Sequence, residues 1–340
     1  MNKKLAAIIA AFLLLVAACC AGVFVMLDQT LLKYDGAKVS ITEAEVYARI
    51  QEYTLESEYG SYFGEKMWQT NVEDGVSLED ATKKEAIETI VAIKVLVSHA
   101  EELGIYLDET EKSAIDSNAE SFADSDVGKK IMEISGADIG TIKAIYEDNA
   151  LADKVKNELY KKADTKISDK EATVKSVYKL VFSTKKIDAN GEEVELSDQE
   201  KEKQKAKATK AYKQAKAGAD FTFLAKQYDV LDTLEENYGT GRAVCGKEFE
   251  EAVDKLKPGG ITKVLETPQG YVVAMLRTAN NEQYTDSMKE TIWKERQQAV
   301  YEEQYAQWTA DKSFDYDKNV SDRLWKKVVF NYGELTKKDK

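Results

Sequence analysis

Apolar residues run without a charge from Leu5 to Leu27, directly after Lys3 and Lys4. The run exceeds the ~20 residues that a bilayer-spanning helix needs. Beyond it the period becomes that of amphipathic helices. Ser40-x-x-Glu43 is a capping-box signature, opening a helix through about Glu58. The glycine- and aromatic-rich stretch YGSYFGEKMWQ predicts a break there. Ala86, Ile90, Ile93 and Val97 recur at helical spacing within a helix from about Leu78 to Leu103, which Gly104 ends. Two more helices are predicted, over Asp108–Phe122 and Asp138–Lys162. The second carries an apolar stripe of Ile142, Ile145, Ala152, Val155 and Leu159.

After a polar linker, Asp164–Glu171, the pattern shifts to alternation. Thr173–Phe182 reads as a strand, with Asn190-Gly191 as the turn of a polar hairpin behind it. Leu196–Gly218 is charged and helical by propensity, and FTFLAKQYD is a second short helix. Phe249, Ala252, Val253 and Leu256 then share one face of a short helix that Pro258-Gly259-Gly260 breaks. Ile261–Leu265 and Tyr271–Leu276 read as strands joined by the turn Thr267-Pro268-Gln269-Gly270. A helix over Asp286–Asp311 carries Met288, Ile292, Tyr301, Tyr305 and Trp308, and a polar tail follows with one apolar patch at Leu324–Phe330.

Composition removes several classes of function. With 61 acidic against 48 basic residues and a net charge of −13, the chain does not read as a nucleic-acid binder. The lysines of Leu196–Gly218 therefore read as a solvated helix face. Three cysteines, of which Cys19 and Cys20 are adjacent in the apolar run, build no disulfide framework. A single histidine, His99, and a single later cysteine, Cys245, leave no set for a zinc site and no triad. His99 reads as a helix-surface residue, and no metal or other cofactor is called for.

The stretch Lys247–Thr278, with its FEEA helix, LKPGG break, TPQGY turn and closing strand, resembles the C-terminal half of a parvulin-type peptidyl-prolyl isomerase domain. AKAGADFTFLAKQY and the strand TVKSVYKLVF extend the likeness over about Thr173–Arg277. The likeness extends to membrane-anchored PrsA-type foldases, and the helical segments ahead resemble the chaperone-like region of PrsA and SurA-type proteins. Rotating an X-Pro bond faces a barrier of about 20 kcal/mol. The resemblance implies two facing histidines, a Cys or Asp beside the bond, and a Leu/Met/Phe proline cup. Here the histidine positions fall on Tyr178 and Val272, and the Cys/Asp position falls near Leu231, with Asp232 beside it. The cup falls on Tyr238, Cys245 and Phe249, and a hydroxyl near the histidine pair falls on Thr267. Both histidines are replaced; Tyr178 is placed to donate to Thr267, restoring part of the network, or serves as ordinary strand packing.

The resulting expectation is an α+β chain: a helical SurA/PrsA-like domain at 35–165, a parvulin-like (FKBP-like) domain inserted at 172–279, a C-terminal helix at 282–312 completing the helical domain, and a tail at 313–340. Residues 1–27 are a retained membrane anchor, or a lipoprotein signal in which VAAC makes Cys19 the lipidated residue, or a cleaved signal peptide. Each reading exports the rest of the chain, so the expected location is the cell membrane, with the bulk extracytoplasmic. The expected partners are unfolded or nascent exported polypeptides and the membrane; no pattern sets an oligomeric state. The expected function is a PrsA-type folding factor. Its alternatives are a catalytically inactive parvulin-fold chaperone and an interaction subunit of a membrane-bound assembly.

Overall fold

The computed structural model describes residues 30–34, 37–73, 75–189, 191–230, 234–310, 315–316 and 325–337. The apolar run with Cys19, the turn residue Asn190, Leu231, Asp232 and Leu324 lie outside the described residues. The chain divides into two compact units, Met1–Lys162 with Ala299–Lys340, and Ala163–Gln298. Among the described residues no helix is long and apolar enough to cross a membrane.

The first unit opens with strands β1 (Thr30–Tyr34) and β2 (Ala37–Ser40), which pair antiparallel. Helix α1 (Ile41–Phe63), a 3-10 turn at Gly64–Gln69, the hairpin β3 (Asn71–Glu73) and β4 (Val76–Ser77), and helix α2 (Leu78–Ser98) follow. Helices α3 (Glu109–Asp124), α4 (Asp126–Ser135) and α5 (Ile139–Tyr160) complete the run. Every one of these five starts is written in the sequence as an N-cap. The side chains of Ser40, Ser77, Asp108, Ser125 and Asp138 accept from the N–H of Glu43, Asp80, Glu111, Gly128 and Thr141. Each satisfies a donor that the helix itself leaves free.

Helix α1 does not stop near Glu58 but continues to Phe63. Gly60 serves close packing rather than a break, since a Cβ there would meet the Tyr332 ring at 3.2 Å. His99 is not a surface residue: it caps α2, is buried, and stacks on Trp308 with ring centroids 4.2 Å apart. Helix α4 was not foreseen, being a short helix that Ser125 opens and Gly136 closes in the left-handed conformation.

The core of this unit gathers Trp68, Ile90, Ile142 and Leu159 with Val328, Phe330 and Leu335 of the C-terminal segment. Tyr301 and Trp308, on the later part of the long C-terminal helix Glu282–Thr309, pack against it. Within this core α1 buries carboxylates. Burial pushes Glu52 up to about 7 from an ordinary 4.5; Glu334 and Glu56 raise it further, and Arg49 opposes. Burial also raises Glu43 and Glu45. The folded chain therefore holds more protons than the unfolded one between pH 4.5 and 7. Stability from this site is full below that window, falls as pH rises through it, and is flat above. A change of about 3 kcal/mol is expected. Urea melts from pH 5 to pH 8 should show that decline, and Glu52→Gln should remove most of it; an unchanged slope in the variant would assign the decline elsewhere.

The second unit is a four-stranded antiparallel sheet in the order β8-β5-β10-β9, from β5 (Val174–Phe182), β8 (Glu235–Gly239), β9 (Leu265–Thr267) and β10 (Gly270–Thr278). A polar hairpin, β6 (Lys185–Ile187) with β7 (Glu193–Glu195), leads into helices α6 (Asp198–Lys216) and α7 (Phe221–Tyr228). Helix α8 (Lys247–Asp254) follows β8. Alternation along the strands sorts the two faces. Tyr178, Leu180, Phe182, Tyr271 and Val273 pack with α6 and α7 residues such as Ala208, Ala211 and Leu224. Val177, Val181, Val272, Ala274 and Leu276 pack with Phe249 and Val253 of α8.

The strand expected over Ile261–Leu265 is shorter and later than the pattern suggests. Ile261 makes one bridge to Met275, and Thr262 Oγ1 accepts from the Ala274 N–H at 2.9 Å, interrupting a regular ladder. The turn at Pro268 falls as expected between β9 and β10. Its Gly270 (φ +120°) is obligatory, because a Cβ would lie 2.3 Å from the Phe182 carbonyl oxygen.

Candidate functional site

The α8 face of the sheet brings together Tyr238, Cys245, Phe249 and Val272. Tyr238 comes from β8, Val272 from β10, Phe249 from α8, and Cys245 from the loop before that helix. They are sealed: exposures are 3% for Tyr238, 1% for Cys245, and 0% for Phe249 and Val272. The Tyr238 and Phe249 rings lie 6.0 Å apart at a tilt. The four residues form a filled apolar core under α8, not an open cup.

Tyr178 does not join them. It lies one residue off in register and so points to the opposite face. There the Arg277 guanidinium sits 4.1 Å from its ring centroid. Of the two readings of Tyr178, donation to Thr267 is thereby excluded and strand packing holds. Thr267 donates instead to the Gly270 carbonyl at 2.9 Å and accepts from the Gln269 N–H at 3.2 Å, closing the β9–β10 turn. Asp232 lies outside the described residues.

The strand residue that does face the cluster is Lys179, which sequence reasoning passed over. Its ammonium is buried and pairs with Glu236 Oε2 at 2.7 Å. It also lies 3.9 Å from the Cys245 Sγ, whose thiol donates to Gln269 Oε1 at 3.4 Å. The signal was present: counting by two from Val177 and Val181 puts Lys179 on their face. A lysine buried in an inner strand calls for an acidic neighbour.

Glu236 reaches further. Its Oε1 accepts from the Val244 N–H at 2.9 Å. Glu250, buried in α8, accepts from Gly241 N–H at 2.8 Å and Ala243 N–H at 2.7 Å. Arg242 donates to Glu295 Oε1 at 2.7 Å. The loop between β8 and α8, which carries Cys245, is thus pinned by the carboxylates of Glu236 and Glu250 and by the Arg242–Glu295 ion pair.

Electrostatics agree with a closed site. Burial pushes the Cys245 thiol up, with Lys179 pulling back and Glu236 adding to the rise. A buried, protonated thiol is a poor nucleophile. Burial, then Glu250, Asp254 and Glu236, push the Tyr238 phenol up as well. Its hydroxyl has no hydrogen-bond partner among the described residues. The chain's one histidine, His99, belongs to the other unit. Among the described residues no group of three or more His, Cys, Asp or Glu side chains is placed to hold a metal.

A four-stranded antiparallel sheet with two helices on one face and a short helix under a pinned loop on the other defines the class. Residues 180–278 match the family described as Rotamase, the PPIC-type PPIASE domain. The second unit therefore carries a parvulin-type domain, and the chain as a whole is similar to PrsA foldases. The chain is 27% identical over 235 residues to foldase protein PrsA 4 of Bacillus cereus, covering 60% of this chain and 84% of that protein. It is 24% identical over 235 residues to foldase protein PrsA of Caldanaerobacter subterraneus subsp. tengcongensis, covering 68% of each. Among solved structures it is similar to peptidylprolyl isomerase PrsA from Bacillus cereus (18% identity, 88% of this chain and 98% of that one, TM-score 0.38).

Proposed function

We propose that this protein is an extracytoplasmic folding factor that binds unfolded or nascent exported polypeptides, and that its parvulin-type domain serves binding and not bond rotation. The similarity to PrsA foldases over 235 residues supports the first half. That length exceeds the parvulin-type unit Ala163–Gln298 alone. The second half rests on the sealed residues of the α8 face: a proline ring has no cavity to enter while Phe249 and Val272 are fully buried.

The apolar run Leu5–Leu27 would hold the protein at the membrane, either as a retained helix or through lipidation of Cys19. Partner and location follow from that arrangement. Clients emerge unfolded beside the membrane, and an acidic, soluble body presents its units to them. Aggregation of a chemically unfolded, proline-poor secreted protein, followed by light scattering, tests the binding half. Suppression at near-stoichiometric ratios is expected. Unaltered aggregation would contradict the folding-factor reading and favour an interaction subunit with one fixed partner.

A further inference from the structure

The lysines of α6 look like a solvated face until α7 is considered with them. From Lys203 to Ala219 the chain carries six lysines and no acidic residue, within a protein of net charge −13. Lys186 and Lys201, around the first turn of α6, are each paired with a glutamate. Beyond that turn the pairing stops. Lys205 lies over the Tyr271 ring, 5.7 Å from its centroid. The other five, Lys203, Lys207, Lys210, Lys213 and Lys216, are exposed, and none makes an ion pair among the described residues. Spaced three or four residues apart, these like charges repel one another and weaken the helix that carries them. The helix dipole accounts for Lys213 and Lys216 in the last turn, but not for Lys203, Lys207 and Lys210.

Helices α6 and α7 cover the same face of the sheet. Ala208, Ala211 and Ala215 of one share a core with Phe221, Leu224 and Ala225 of the other. The Tyr228 hydroxyl donates to Gln214 Oε1 at 2.7 Å and ties the two helices together. Their outer sides therefore form one surface. On it stands Phe223, 61% exposed and outside the core beneath it. Lys226, one turn further along α7, is exposed as well and makes no ion pair among the described residues.

We propose that the outer surface of α6 and α7 docks on a lipid surface carrying anionic headgroups. The lysines meet the headgroup phosphates, and Phe223 enters the boundary between headgroups and acyl chains. A basic stripe beside an exposed aromatic is the pattern by which helices lie in a membrane interface. The acidic remainder of the chain does not prevent this. Charges farther from the membrane than a Debye length, ~8 Å at physiological ionic strength, are largely screened from it. Nearer the membrane the acidic sides are repelled, so the field turns the α6 side toward the lipid. A soluble polyanion would use the lysines and leave the Phe223 ring idle, so the ring favours lipid. Docking would hold the parvulin-type unit at the membrane, where exported chains emerge.

Docking at this face rests on the membrane attachment proposed above, and one experiment separates the two. The full chain is reconstituted with vesicles of phosphatidylcholine, with and without phosphatidylglycerol. Flotation reads attachment, and acylation of lysines followed by mass spectrometry reads docking. Protection of Lys207, Lys210 and Lys213 by about tenfold with phosphatidylglycerol, and none without it, is the expected result. Lys247, on the α8 side of the same unit, should stay reactive throughout. Added salt and Phe223→Ser should each remove most of the protection; Phe223 is exposed, so its replacement leaves the fold intact. Flotation with both vesicles but protection with neither overturns docking and leaves attachment standing. Flotation and protection only with phosphatidylglycerol would support docking and overturn the anchor. A chain that floats with neither overturns both. Equal protection by soluble polyphosphate, indifferent to Phe223→Ser, would assign the face to a polyanion and overturn the lipid.

Discussion

Phe249→Ala should lower the stability of the parvulin-type unit by about 3–5 kcal/mol, the range for truncating a fully buried phenylalanine. The side chain is 0% exposed and packs beneath the sheet with Tyr238, Val253 and Val272. Alanine would leave a cavity that the pinned loop cannot collapse into, since Glu236 and Glu250 hold its backbone at Val244, Gly241 and Ala243. Exchange of the β5 and β10 amides reads the loss directly, because these inner strands open only with the unit as a whole. A Phe249 that lined an open groove would instead cost little on truncation. An effect below about 1 kcal/mol would contradict the sealed core.

Glu236→Gln is expected to cost about 3 kcal/mol or more, because it leaves the Lys179 ammonium buried without its counter-charge. The substitution keeps an oxygen for the Val244 N–H, so the loop contact survives and the loss reports the charge alone. Pairing it with Lys179→Met should recover most of the stability, since replacing both partners removes the desolvation cost together with the attraction. Denaturant titrations of the two single variants and the double variant supply the cycle. Additive losses would mean that the two side chains do not act as a pair.

Much of the fold was legible in local chemistry. The caps at Ser40, Asp108 and Asp138 and the strand Thr173–Phe182 were readable because each follows from one short-range rule. What the chain did not disclose depended on contacts distant in sequence. Gly60 looks like a helix break until Tyr332 is seen packed on it, 272 residues away. His99 looks exposed until Trp308 covers it. The apolar patch at the C-terminus could be assigned neither to core nor to partner until Val328 and Phe330 are seen buried with Trp68 and Ile90.

The candidate site was legible in composition but not in register. Tyr238, Cys245, Phe249 and Val272 meet, as their positions in the resemblance imply. Tyr178 and Lys179 were exchanged because a match of strand residues by likeness slips easily by one, and one residue reverses the face. Burial was not legible either. An apolar cup and an apolar core have the same residue types, and only the pinned loop distinguishes them.

Assistance to folding by binding alone, through a parvulin-type domain closed to proline, is open to a direct test. The most direct measurement is the rate of cis-to-trans conversion in a panel of X-Pro peptides, with the full chain added at rising concentration. The expected result is the uncatalysed rate at every concentration while unfolded clients are still protected from aggregation. Acceleration proportional to the amount of protein, abolished together with the pinned loop by Glu250→Ala, would show that the site opens and turns over, and would contradict binding alone.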